Sequence, residues 1–193
     1  MGPKMVTVHT FWPVILLAAL SGCSTMQISS DYDASANFAG LKTYNWIPEP
    51  PKASSDPRID NPFIERRIRD AVDNQLAAQG YERGLSGDSD FLVGYHVALE
   101  KKLAVSTMNE YYGVVVGPRW HYSSPRWYGS ETYVYDYDEG SLVLDIIEAG
   151  SRKLIWRGSA LARVDTTASA ERKTKRINEA VQRILAQFPP KPK

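Results

Sequence analysis

Phe91-Leu92-Val93-Gly94-Tyr95-His96-Val97-Ala98-Leu99 is the stretch that decides the fold. Phe91, Val93, Tyr95, Val97 and Leu99 fall on every second position, the period that lines one face of a strand. A strand with one strongly apolar face needs a layer to cover it, and the flanking sequence supplies helices. Upstream, Asp60-Asn61-Pro62 offers a capping side chain and then a proline in the first turn, where its missing N–H costs nothing. Ile64, Ile68, Val72 and Leu76 follow at intervals of four as far as Gly80, with Glu65, Arg66, Arg69, Asp73 and Asn74 mostly elsewhere. This predicts an amphipathic helix whose basic residues form a solvated face.

Downstream, residues 142–147 and 154–164 are two apolar strands joined by Glu148-Ala149-Gly150-Ser151-Arg152, the pattern of a hairpin. Gly158 in the second arm marks a bulge or a close backbone approach. Ile177, Val181, Ile184, Leu185 and Phe188 share one side of a second helix that stops before Pro189-Pro190, and 189–193 read as a disordered tail. Nearer the start, Met26, Ile28 and Tyr32 alternate, and Phe38 to Trp46 reads as another strand before the proline-broken loop at 47–57. The order strand, strand, helix, strand, insert, strand, strand, helix predicts an α+β sandwich. Its sheet is expected to be largely antiparallel, of about five strands, with two amphipathic helices packed on one face.

The chain begins with one clear positive charge, Lys4, and an apolar run from Phe11 to Leu20. That run is shorter than the roughly 20 residues of a spanning helix and matches the core of a secretory signal. Leu20-Ser21-Gly22-Cys23, which contains the only cysteine of the 193 residues, resembles the lipobox of bacterial lipoproteins. The resemblance implies a signal peptide over 1–22, cleavage before Cys23, and lipid on that cysteine. An exported chain with a single thiol would otherwise carry a leftover reactive group. Two or three acyl chains mean lasting attachment to a membrane. Ser24 in place of aspartate resembles the sorting signal for the outer membrane, so the expected address is its periplasmic face. Cleavage removes Lys4 from the 23 Lys plus Arg and leaves 22 against 22 Asp plus Glu. A neutral exported domain at 23–188 is a poor partner for nucleic acid.

The Asp31-Tyr32-Asp33 start, the Phe38…Leu41-Lys42-Thr43-Tyr44-Asn45-Trp46 run, the Asn61-Pro62 helix ending in Gly80-Tyr81, the Asp90-Phe91-Leu92-Val93 strand and Trp156-Arg157-Gly158 together resemble the bacterial lipoproteins named domain of unknown function 4136. The resemblance covers nearly all of the mature chain. It implies an exported, lipid-anchored domain whose activity is not established, and it carries over no catalytic residue.

An aromatic-rich insert at 107–140 is the one region that suggests binding. Its rings, spaced by glycine and proline, present flat amphipathic surface at low entropy cost. Trp120, Tyr122, Trp127 and Tyr128 are the candidate contacts for an envelope protein, a peptide or a cell-wall glycan, with His121 and Arg126 beside them. The preferred reading of the insert is nevertheless a long hairpin or loop that folds back over the exposed sheet face; Tyr133, Tyr135 and Tyr137 alternate as an extended hairpin arm would. Catalytic chemistry is thin. Gly84-Leu85-Ser86-Gly87-Asp88 departs from a nucleophile elbow at its fifth residue, and only His96 and His121 remain after Cys23 as bases. Asp136-Tyr137-Asp138-Glu139-Gly140 gathers acids without EF-hand spacing and reads as a turn. No metal and no cofactor is expected. The leading expectation is a non-enzymatic structural or interaction module, ahead of a glycan or small-ligand binder.

Overall fold

The structure is a computed structural model and describes residues 26–48, 56–84, 89–111 and 128–191, with the side chains of 105–111 and 128–133 left aside. Residues 1–22, read above as a signal peptide, and Cys23, Trp120, His121, Tyr122 and Trp127 lie outside the described residues. In chain order the elements are β1 (Gln27–Tyr32), a 3-10 turn (Phe38–Gly40), β2 (Thr43–Trp46), α1 (Pro62–Ala78), β3 (Glu82–Arg83), β4 (Phe91–Tyr111), β5 (Tyr128–Glu148), β6 (Leu154–Val164) and α2 (Ala170–Leu185). They form an α+β fold with one six-stranded sheet ordered β1-β6-β5-β4-β2-β3.

The expectation of a largely antiparallel sheet is corrected to a mixed one. β1, β6, β5 and β4 pair antiparallel, whereas β2 runs parallel to both β4 and β3. The reason is the crossover. α1 separates β2 from β4 and carries the chain back along the sheet, which brings the next strand in parallel. Asp90 fastens the junction: its Oδ2 accepts the Lys42 and Thr43 amides at 2.9 and 2.8 Å and the Thr43 hydroxyl at 3.0 Å. These bonds hold the Asp90 carboxyl below its ordinary range.

α1 starts where its signals place it. The Asn61 side chain accepts from the Phe63 and Ile64 amides, Pro62 follows, and Gly80 past the end has φ of 90°. Ile68, Ala71, Val72 and Leu76 are buried, as are Ala180, Val181, Ile184 and Leu185 of α2. Both helices cover the sheet face carrying Phe91, Val93, Tyr95, Leu142, Leu144, Ile146 and Trp156. Phe188 lies past the end of α2 and closes this core, with its ring 5.3 Å from Trp156, 5.6 Å from Tyr81 and 5.8 Å from Phe91.

Arg69, expected on a solvated face, instead holds β2 together with Asp73. Asp73 Oδ1 accepts from the Tyr44 hydroxyl and the Trp46 indole N–H, both at 2.9 Å, and the Arg69 guanidinium lies 4.6 Å from the centre of the Trp46 ring. Burial, and then the hydrogen bond to Asp73, push the Tyr44 hydroxyl well above the ordinary tyrosine value; burial also raises Tyr81 and Tyr95. A group raised in the fold lends stability that is complete below its unfolded pKa, about 10 for tyrosine, and is lost as the pH climbs above it. Thermal melts between neutral pH and strongly alkaline pH are therefore expected to fall steeply above about pH 10. Tyr44→Phe, which has no proton to lose, is expected to flatten that fall.

Candidate functional site: the hairpin arm and the open sheet face

β4 and β5 pair without a break from Phe91↔Glu148 to Tyr111↔Tyr128, whereas β5 meets β6 only as far as Asp138↔Val164. From Lys102↔Tyr137 outward the two strands are therefore a ribbon, roughly 30 Å long at about 3.3 Å per residue. On the side that faces the helices farther down, Leu103 is 75% exposed and Val134 63%; on the other side Tyr135 is 45% exposed. At these positions the ribbon is not covered by the helices. The acid-rich segment expected to be a turn is strand. Its acids meet cations instead: Asp136 faces Lys101 at 3.7 Å, Asp138 accepts from Arg58 at 3.0 Å, and Glu139 lies 3.9 Å from Lys102. A turn reading failed because alternate acids with basic cross-strand neighbours satisfy a strand just as well.

The root of the arm is fixed by Arg163 of β6, whose guanidinium lies 4.0 Å from the Tyr137 ring centre and 5.2 Å from that of Tyr135. An arginine over an aromatic face is attracted by the ring quadrupole. Tyr133, Tyr135 and Tyr137 do lie along β5, and Tyr128 is its first residue. Of the four aromatic contact candidates, Tyr128 is thus placed at the outer end of the ribbon, and Trp120, Tyr122 and Trp127 belong to the segment between its arms.

On the same open face, nearer the sheet centre, Asp145 is 5% exposed. Its carboxylate accepts two bonds from Arg157, at 2.6 Å to Nε and 2.7 Å to Nη2, and His96 Nε2 lies 3.4 Å away. The paired charge and its bidentate geometry account for a buried carboxylate, and Asp145 in turn holds the Arg157 guanidinium above its ordinary range. This is the partner of His96, but the neighbouring Ser159 hydroxyl is engaged with Ser29 at 2.8 Å. Among the described residues no group of His, Cys, Asp and Glu is arranged to hold a metal. The arrangement braces β4, β5 and β6. Asp145 and Arg163 stand outside the sequence expectations. The first was visible as the lone acid in the apolar run 142–147, facing Arg157 across the hairpin; the second had no local signal, because its rings come from another strand.

No helix among the described residues is long and apolar enough to cross a membrane. A comparison with curated proteins gives no match. Among solved structures, a PDZ domain protein from Parabacteroides distasonis aligns at a TM-score of 0.53 and 13% identity, over 86% of this chain and 36% of that one. This chain thus corresponds to little more than a third of that protein, and the likeness shows the fold alone. A chain of the PelC dodecamer from Paraburkholderia phytofirmans aligns at a TM-score of 0.46 and 10% identity, over 83% of this chain and 95% of that one. The sequence model of a family described as "Domain of unknown function (DUF4136)" matches residues 28–190, which takes in every element from β1 to α2, and to that family this chain belongs.

Proposed function

We propose that this protein is a non-enzymatic interaction module of the bacterial envelope, held on the periplasmic face of the outer membrane by lipid on Cys23, and that the β4–β5 arm meets its partner there. The observation that carries the reading is the arm itself. A two-stranded ribbon is marginally stable alone in water, and an exposed strand edge invites pairing. Here the ribbon keeps Leu103, Val134 and Tyr135 exposed, and beyond Val93 the edge of β4 away from β5 has no strand partner among the described residues. Such an edge takes an extended segment of another protein by strand addition, with the exposed apolar side chains adding pockets and contact area.

A photoreactive residue placed at 103 or 134 in living cells tests this. It is expected to form adducts with an envelope protein, whereas the same residue at exposed Asp70 on α1 forms none. Adducts with cell-wall sugar would favour the alternative, a glycan binder using Trp120, Tyr122, Trp127 and Tyr128. No adduct at either position, or equal labelling from Asp70, would count against the arm as a contact surface. In the same cells Cys23→Ala is expected to abolish incorporation of labelled palmitate and to release the protein from the membrane fraction.

A further inference from the structure

The two ends of the sandwich are packed differently. At one end Gly158 lies so close to its neighbours that a Cβ built on it would stand 2.3 Å from Trp156 Cη2 and 2.5 Å from Ile184 Cγ2. Farther along β6 the side chains turned to the helices are Ala160, Ala162 and, at the strand's end, Val164, and α2 presents Ala180 to them. These small side chains do not fill the space that a tryptophan and an isoleucine fill at the other end. A cavity of about 600 Å³ opens there between the sheet and the N-terminal turns of both helices. Protein interiors normally pack to the density of organic crystals, and apolar spaces of roughly 300–1,000 Å³ are the size of ligand pockets.

The lining has two parts. Its walls are aliphatic, with Ile64, Ile68, Val97, Leu142 and Ile177 around the alanines. The same cavity is lined by Arg58, Arg172, Lys173 and Arg176 against one carboxylate, Asp165. Asp165 accepts the Thr167 amide at 2.9 Å and hydroxyl at 2.6 Å within its own turn, and its single charge is shared by Arg172 and Lys173, which leaves that side of the cavity net positive. Arg58 is paired with Asp56 and Asp138, and Arg176 with Glu179. Arg172, exposed, and Lys173, half-buried, are the cations best placed to meet an anion from outside. Met26, buried in the lining, fixes where the cavity lies along the chain. Its carbonyl accepts from Arg183 at 3.0 Å, and it follows Cys23 by three residues, at most about 10 Å of extended chain.

We propose that this cavity binds a long-chain fatty acid, its tail among Ala160, Ala162 and Ala180 and its carboxylate against Arg172 and Lys173. Every methylene withdrawn from water favours the tail, and the cationic side fixes its direction. Only the source of the ligand, the adjoining membrane, rests on the anchoring proposed above; the site itself does not.

Titration of the purified full chain carrying Cys23→Ala, with laurate below its micelle concentration, separates the two. The unlipidated chain is expected to bind laurate saturably. Ala162→Phe and, from the helix side, Ala180→Leu fill the space and are expected to weaken binding at least roughly tenfold while the melting temperature holds. Reversing charge with Arg172→Glu and Lys173→Glu is expected to weaken laurate roughly tenfold in low salt and leave a nonionic detergent of the same tail unaffected. The proposal is overturned if no saturable binding is seen, whether the chain's own apolar run closes the cavity or nothing enters it. It is equally overturned if filled, folded variants bind as well as the parent. No laurate binding by the Cys23→Ala chain, with palmitate still incorporated by the parent protein in cells, refutes the cavity alone; laurate binding without palmitate incorporation by the parent refutes the anchor alone.

Discussion

Trp156→Ala is expected to lower the free energy of unfolding by about 3–5 kcal/mol, the range for removing a large buried aromatic side chain. Trp156 is fully buried at the meeting point of β6, α2 and Phe188. Its indole nitrogen has no hydrogen-bond partner among the described residues, so what the substitution removes is packing and not a polar contact. Domains of this size are stable by about 5–15 kcal/mol, so the loss takes a large share of the total. Urea unfolding followed by circular dichroism measures it, as a lower midpoint with an unchanged slope. A loss below about 1 kcal/mol would mean that the Trp156 ring is not in the core.

Gly158→Ala is expected to be the second large effect, for the opposite reason. The added methyl meets the Trp156 ring and an Ile184 methyl at distances that real Cβ atoms do not reach, and neither neighbour is the free end of a flexible chain. Overpacking of this kind costs typically about 1–3 kcal/mol. The two substitutions are expected to be non-additive. In the Trp156→Ala background the ring is gone, leaving only the Ile184 contact, so Gly158→Ala should cost less there than in the parent by about 1 kcal/mol. Equal costs in both backgrounds would show that the glycine is kept for another reason.

Trp156-Arg157-Gly158 also shows what could be read from the sequence. The glycine was expected to mark a bulge or a close backbone approach, and side chains crowd it: Trp156, two positions back on the same strand, and Ile184, which comes from α2 and which no local pattern names. Periodicity placed the buried faces of β4, α1 and α2, because side-chain direction in a regular element depends only on spacing. It carries no strand direction, which is why the parallel neighbours of β2 were not anticipated. β3, with two residues, is too short for any period to register, and it exists because β2 offers it an edge. The outer half of β5 was misread at Asp136 to Gly140, since acids that look like a turn in one dimension find Lys101, Lys102 and Arg58 in three. The site was less legible than the fold. The aromatic spacing pointed to the stretch that contains the arm, but that the arm is a ribbon clear of the helices follows from where β6 and the helices end, which is a property of the whole assembly.

Amide hydrogen exchange along β4 and β5 tests the central claim, that the arm is an uncovered ribbon kept for a partner. Exchange rates report how readily each segment opens, and an unsupported two-stranded segment should open far more often than the sheet. In the isolated protein, the amides of 102–111 and 128–137 are expected to exchange at least roughly tenfold faster than those of 91–99, and to slow when the protein is measured in envelope vesicles. Arm amides as protected as the core in the isolated monomer, or unchanged protection in the vesicles, would contradict it.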